Sequence, residues 1–265
     1  MRYAARMLLL FSFCIAQHAL AFSDEEVKST QARIRALSLS ERIASWAELF
    51  VGTPYDTDPL GTYVRRETIV ADDRVDCMYL TFRAVELGLS TTPDDAAEKA
   101  LNLRFHTRGL IERGRVINYD ERYQDGAEML ESGKYGEEIT SRLGTVRSIP
   151  APPGKATIKA LPPEALRKAL GLLETGDIIY FIKDPSRREA GEIVAHMGFV
   201  NVERPGQSSG QSSTRHVYLI HASGTKRRGG MVKKVPLDEY LSAAYHAGVR
   251  VSRIPPESSQ TAPKK

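Results

Sequence analysis

Apolar positions along this chain keep a helical period at first and then switch to short, β-branched runs. Between Ser38 and Phe50, Ile43, Trp46, Ala47 and Phe50 recur at helical spacing behind the capping-box pattern Ser38-x-x-Glu41, so a helix is predicted there, ended by Gly52 and Pro54. The run from Cys77 to Leu87 has the same period and stops at Gly88. Asp76 is a natural N-cap for it, which places Cys77 in the first turn. Further helices are predicted over 94–103, after Pro93, and over 163–173, after Pro162-Pro163. From Gly176 onward the runs 177–183, 193–202, 216–221, 231–235 and 249–254 read as strands of an antiparallel meander, with a helix over 237–247 between the last pair. Helices first and strands afterwards define an α+β arrangement. The stretch 63–70 reads as extended and 206–214 as an exposed loop. The segment 104–160, with Tyr119, Tyr123 and Tyr135 among charges and glycines, reads as a loop-rich insertion that shapes a surface and not the core.

The first residues predict an address. Arg2 and Arg6 precede the apolar run Met7 to Ala16, and Ala19-Leu20-Ala21 forms a small-residue cleavage box with no acid before Asp24. This is the pattern of a cleavable secretory signal over 1–21. The apolar run is too short to span a bilayer, which takes about 20 residues. The expected location is therefore periplasmic or secreted, without stable membrane insertion after cleavage. Residues 22–254 are expected to form one domain, and 255–265, which lacks large apolar residues, a disordered tail.

Composition narrows the classes further. The 265 residues are 42% hydrophobic and 26% charged, ordinary values for a folded protein that exclude fibrous, disordered and disulfide-scaffold classes. The net charge of +4 includes the two signal arginines, and no long basic run suggests nucleic acid as a partner. Of the 2 cysteines, Cys14 lies in the signal, which leaves Cys77 as a lone thiol in an oxidising compartment. Such a residue is either a small buried hydrophobe or a reactive group.

A helix start favours the thiolate through its free N–H groups and dipole. An ordinary thiol is still only about 3% ionised at neutral pH, so a nucleophile needs a basic partner, usually His. His106 and His246 read as solvated, and His18 lies in the signal. His216 and His221 are five apart on one strand and face opposite ways. His221 shares its face with Val217 and Leu219 and leads into Ala222-Ser223-Gly224. His196 stands mid-strand, with Gly198 on its face to permit close approach. Arg104 and Arg108 read as solvated surface.

Together, Asp76-Cys77 opening a helix, Thr175-Gly176-Asp177-Ile178-Ile179, His196-Met197-Gly198-Phe199-Val200 and Leu219-Ile220-His221-Ala222-Ser223 resemble the NlpC-type, papain-related cell-wall cysteine hydrolases. Gly52-Thr53-Pro54-Tyr55 and Pro236-Leu237-Asp238-Glu239-Tyr240 are similar to stretches of the N-acetylmuramoyl-L-alanine amidase-like family (domain-of-unknown-function family 1460) within that group. The resemblance implies a papain-like fold with an antiparallel sheet packed on helices, and a Cys-His-polar triad cleaving the amide between N-acetylmuramic acid and L-alanine of peptidoglycan. It implies Cys77 as nucleophile, His196 as base and then acid, and His221 as the group that orients His196. The oxyanion and substrate-binding positions fall on the Cys77 N–H, Tyr55 and Asp76, Tyr55 fitting equally as a packing aromatic. No cofactor or metal is implied. A cut within the stem peptide, binding to peptidoglycan without cleavage, and a zinc site built from the same Cys and His are the other readings these residues admit.

Overall fold

The computed structural model describes residues 21–62, 69–154, 157–188, 191–204, 215–243 and 245–256. The predicted signal (1–21, but for Ala21), the predicted loop 206–214, most of the predicted extended stretch 63–70 and most of the predicted tail 255–265 lie outside them.

Among the described residues, α1 (Asp24–Ile34), α2 (Leu39–Leu49), α3 (Cys77–Leu89) and α4 (Pro93–Leu103) come first. The capping box at α2 forms as its sequence predicts, the Ser38 side chain accepting from the Glu41 N–H while Glu41 reaches back to the Ser38 N–H. Asp76 caps α3, with Oδ1 accepting from the Tyr79 N–H at 2.8 Å. Short elements follow: β1 (Ile111–Glu112), β2 (Arg115–Val116), α5 (Gly126–Glu131), β3 (Glu137–Glu138), α6 (Thr140–Leu143), β4 (Arg147–Ile149), β5 (Ile158–Ala160) and α7 (Pro163–Lys168). The helix predicted over 163–173 breaks after Lys168 into a 3-10 turn.

The meander is β6 (Ile178–Lys183), β7 (Val194–Glu203), β8 (His216–Thr225) and β9 (Gly229–Pro236). Helix α8 (Leu237–Ala243) then returns the chain as β10 (His246–Arg253), and the sheet runs β3-β10-β6-β7-β8-β9, antiparallel throughout. Helix α8 is shorter than the predicted 237–247, because His246 already belongs to the last strand.

Strand β6 lies inside the sheet and is covered on both faces, which is why Ile178-Ile179-Tyr180-Phe181-Ile182 is apolar without alternation. On one face Tyr180, Met197, Phe199 and Ile220 pack with Trp46, Phe50, Leu80 and Phe82 of α2 and α3. On the other, Phe181, Val200 and Leu219 pack with Leu166, Leu237 and Leu241 of α7 and α8.

The segment 104–160 corrects the sequence reading. Tyr123, Met129 and Tyr135 are buried in the same core as α3. The Tyr135 hydroxyl is satisfied by the Leu103 carbonyl, so its ring can be covered at little cost. Asp125 accepts from the N–H groups of Ile193 and Val194 and holds the root of β7. Arg104, read as solvated, is 2% exposed: Nε and one terminal nitrogen grip both Glu86 oxygens at 2.5 and 2.6 Å. Arg108 does stand at the surface, paired with Glu98.

Candidate active site

Pairing of β7 with β8 runs from Glu203↔His216 to Phe199↔Ile220 and ends there. Both strands continue, β7 paired with β6 and β8 paired with β9, so a fork opens between them. His196 and His221 lie on the two prongs. His196 is paired directly with Phe181 and His221 alternates with Leu219, which puts both imidazoles on the α8 face of the sheet.

The rings meet. His196 Nε2 lies 2.7 Å from His221 Nδ1, with ring centroids 4.9 Å apart in an edge-on arrangement. Gly198 makes this approach possible, since a Cβ there would stand 2.6 Å from the Ile220 carbonyl oxygen and 2.9 Å from His221 Cβ. Tyr240 of α8 closes the cluster, its ring centroid 4.9 Å from His221 and 6.2 Å from His196. Burial pushes the His196 imidazole well below its ordinary value, helped by His221 and His246, and pushes His221 down to about 4. Both rings are neutral at pH 7.

Cys77 enters from the α3 side. Its thiol lies in the field of the Met197 backbone N–H, on β7 beside His196, and its charge is felt by the Tyr240 and Tyr55 hydroxyls. Burial pushes this thiol up to about 12, and the neighbouring Asp76 carboxylate pushes the same way. The N–H groups of Met197 and of Cys77 itself, with Lys226, oppose them without prevailing. The expectation of a resting thiolate is thus corrected: the helix start does act on the sulfur, but desolvation outweighs it. Among the described residues no hydrogen bond joins the thiol to either imidazole.

Asp76 is engaged twice, capping α3 through Oδ1 and meeting Lys226 Nζ at 3.1 Å through Oδ2. A carboxylate accepts hydrogen bonds, so Asp76 shapes the helix start and does not donate to an oxyanion. Tyr55 is half-buried, with its backbone N–H donating to the Gly230 carbonyl and the Lys226 ammonium 5.7 Å over its ring. Burial raises its hydroxyl well above the ordinary phenol value, which keeps it a neutral donor.

Sequence reasoning missed His246, Tyr240 and Lys226 as neighbours of this cluster. His246, expected to be solvated, packs its ring 4.8 Å from Phe181 and 6.1 Å from Tyr240, and burial pushes it down to about 4. Its place at the start of a returning strand, opposite Lys183 of β6, was the available signal. His106 remains largely exposed, beside Tyr123. Among the described residues no group of three or more His, Cys, Asp and Glu converges as metal ligands would. A cavity of about 750 Å³ lined by Glu138, Thr140, Lys159 and Arg250 shares no residue with the Cys77 cluster.

No family model and no curated protein matches the chain. Solved structures do. An N-acetylmuramoyl-L-alanine amidase from Bacteroides uniformis is similar with a TM-score of 0.59 and 19% identity, over 81% of this chain and 98% of its own. Protein LPG0564 from Legionella pneumophila, which carries the family name DUF1460, gives 0.64 and 14% over 88% of this chain and 95% of its own. A Bacteroides fragilis protein provisionally named a xylanase gives 0.54 and 20% over 79% of this chain and 100% of its own. The TM-scores establish a similar fold, and at these identities nothing more; the names borne by its holders differ.

Proposed function

We propose that this protein is an exported cysteine amidase of the NlpC, papain-like type that hydrolyses peptidoglycan at the amide between N-acetylmuramic acid and L-alanine. The observation that carries the reading is the His196–His221 bond at the fork where Cys77 enters, because it supplies a paired base beside a thiol. The likeness to the B. uniformis amidase supports the choice of substrate.

With Nε2 of His196 engaged by His221, Nδ1 is the nitrogen free for the thiol. For Nδ1 of His196 to take the thiol proton, the ring must carry its own proton on Nε2 and donate it to His221 Nδ1, which then accepts. Because thiol and imidazole both rest neutral, the Sγ proton passes to Nδ1 as sulfur attacks the carbonyl carbon, and no ion pair forms beforehand. The Cys77 N–H, with the Tyr55 hydroxyl, receives the oxyanion. The carbon–nitrogen bond then breaks, Nδ1–H protonates the departing L-alanine nitrogen, and a thioester of the muramyl lactyl group remains. Water adds to that thioester, gives its proton to Nδ1, and the thiol is restored as the acid departs.

The test is mass spectrometry of products from defined muropeptides. Intact stem peptide is the expected product. A released dipeptide moves the cut into the stem, and bound but intact muropeptide at every pH from 5 to 9 makes the protein a binder only.

A further inference from the structure

The turn joining β8 to β9 carries three consecutive cations, Lys226, Arg227 and Arg228, and hangs directly over the start of α3. Its root is fixed there by close packing. Gly224 lies flat against Tyr55, and a Cβ at that position would stand 2.5 Å from the ring. Lys226 spans the gap, 3.1 Å from Asp76 Oδ2 and 5.7 Å over the Tyr55 ring. The Arg228 N–H donates to the carbonyl and hydroxyl oxygens of Thr225, which closes the turn and leaves Arg227 and Arg228 at its tip.

The two arginines have different surroundings from the other cations near the site. Both are exposed, and neither guanidinium has a partner among the described residues. The acids nearby are committed elsewhere. Asp76 serves Tyr79 and Lys226, and Asp56 is buried, accepting from the N–H and hydroxyl of Thr62 and from the Asp58 N–H. Asp73 faces Arg74. Among the described residues, two guanidiniums without partners thus stand on the turn whose Lys226 holds the cap of α3, and planar guanidinium forks match carboxylates.

We propose that Arg227 and Arg228, on the turn anchored by Lys226, form a carboxylate-reading subsite that selects substrates bearing an anionic group on the peptide side of the scissile amide. This rests on the amidase reading, in which the sugar acyl side is uncharged and the departing peptide carries the carboxylates.

The test compares N-acetylmuramoyl-L-alanyl-D-glutamate with the same compound in which both carboxylates are carboxamides. Equilibrium binding is measured on Cys77→Ala protein, with and without Arg227→Gln/Arg228→Gln, and turnover on the corresponding Cys77 proteins. Charged hydrogen bonds of about 1.5–3 kcal/mol predict that the acid binds about tenfold or more tightly, with the preference shrinking as salt rises and falling toward one in the double variant. Both substitutions lie on an exposed turn, and an unchanged Tm verifies the fold. Equal binding of acid and amide, or a preference that survives the double substitution, overturns the subsite. Selective binding without turnover of either compound keeps the subsite and overturns the amidase reading; turnover of both at equal rates, with equal binding, does the reverse.

Discussion

The Cys77 sulfur stands between two N–H groups that favour its anion and a desolvated setting, next to Asp76, that opposes it. Burial prevails, and the same burial keeps His196 and His221 neutral. Alkylation by iodoacetamide is accordingly predicted to be at least about tenfold slower at pH 7 than for an ordinary free thiol, and to accelerate with rising pH. Rapid, pH-independent alkylation between pH 5 and 8 would instead reveal a preformed thiolate–imidazolium pair. The positions of Cys77, its cap Asp76 and both histidines were legible in the sequence, because helix caps and strand alternation are local. The protonation state was not, since it depends first on burial by the folded chain and then on Met197 and Lys226, which reach the sulfur from distant parts of the sequence.

At the level of elements, the fork between β7 and β8 is what lets a helix on one face of the sheet address imidazoles on the other. Gly198 sets how closely the prongs approach. Gly198→Ala places a methyl against the Ile220 carbonyl and His221 Cβ, and is predicted to cost about 1–3 kcal/mol of stability and to lower kcat more than KM by displacing the histidine pair. Wild-type kcat in a folded Gly198→Ala protein would remove the fork from the mechanism. The five predicted strands and the helices predicted at 38–50, 77–87 and 94–103 followed from period and punctuation, although α3 runs through its predicted stop at Gly88 to Leu89. The segment 104–160 did not, because among its buried groups are Tyr135 and Arg104, whose polar ends are satisfied by the Leu103 carbonyl and by Glu86, partners distant in sequence. Arg104 reads as surface until Glu86 is placed beside it; Arg83 likewise finds Asp72, whose other partner is the Tyr79 hydroxyl. That network lies beneath the loop leading into Cys77.

For the molecule as a whole, three desolvated histidines, His221 buried and His196 and His246 half-buried, couple folding to pH. His221 and His246 are held at about 4 and His196 well below its ordinary 6.5, so the unfolded chain binds more protons between pH 6.5 and about 4. Their contribution is fully present above 6.5 and is lost as pH falls through that window. Thermal unfolding should show Tm decreasing from pH 7 to 4.5, with a shallower slope in His246→Leu; a flat profile in the wild type contradicts the burial of these rings. Export is proposed for the whole chain from its first residues: N-terminal sequencing of protein recovered outside the cytoplasm should begin at Phe22, and recovery of an intact Met1 end would refute the signal. The account as a whole depends on the Cys77 thiol acting as the nucleophile. The most direct measurement is muropeptide turnover by wild-type and Cys77→Ala proteins of equal Tm. The predicted result is intact stem peptide released by the wild type and a rate at least about 10³-fold lower in the variant, in line with removal of a catalytic nucleophile. Equal rates for the two would contradict it.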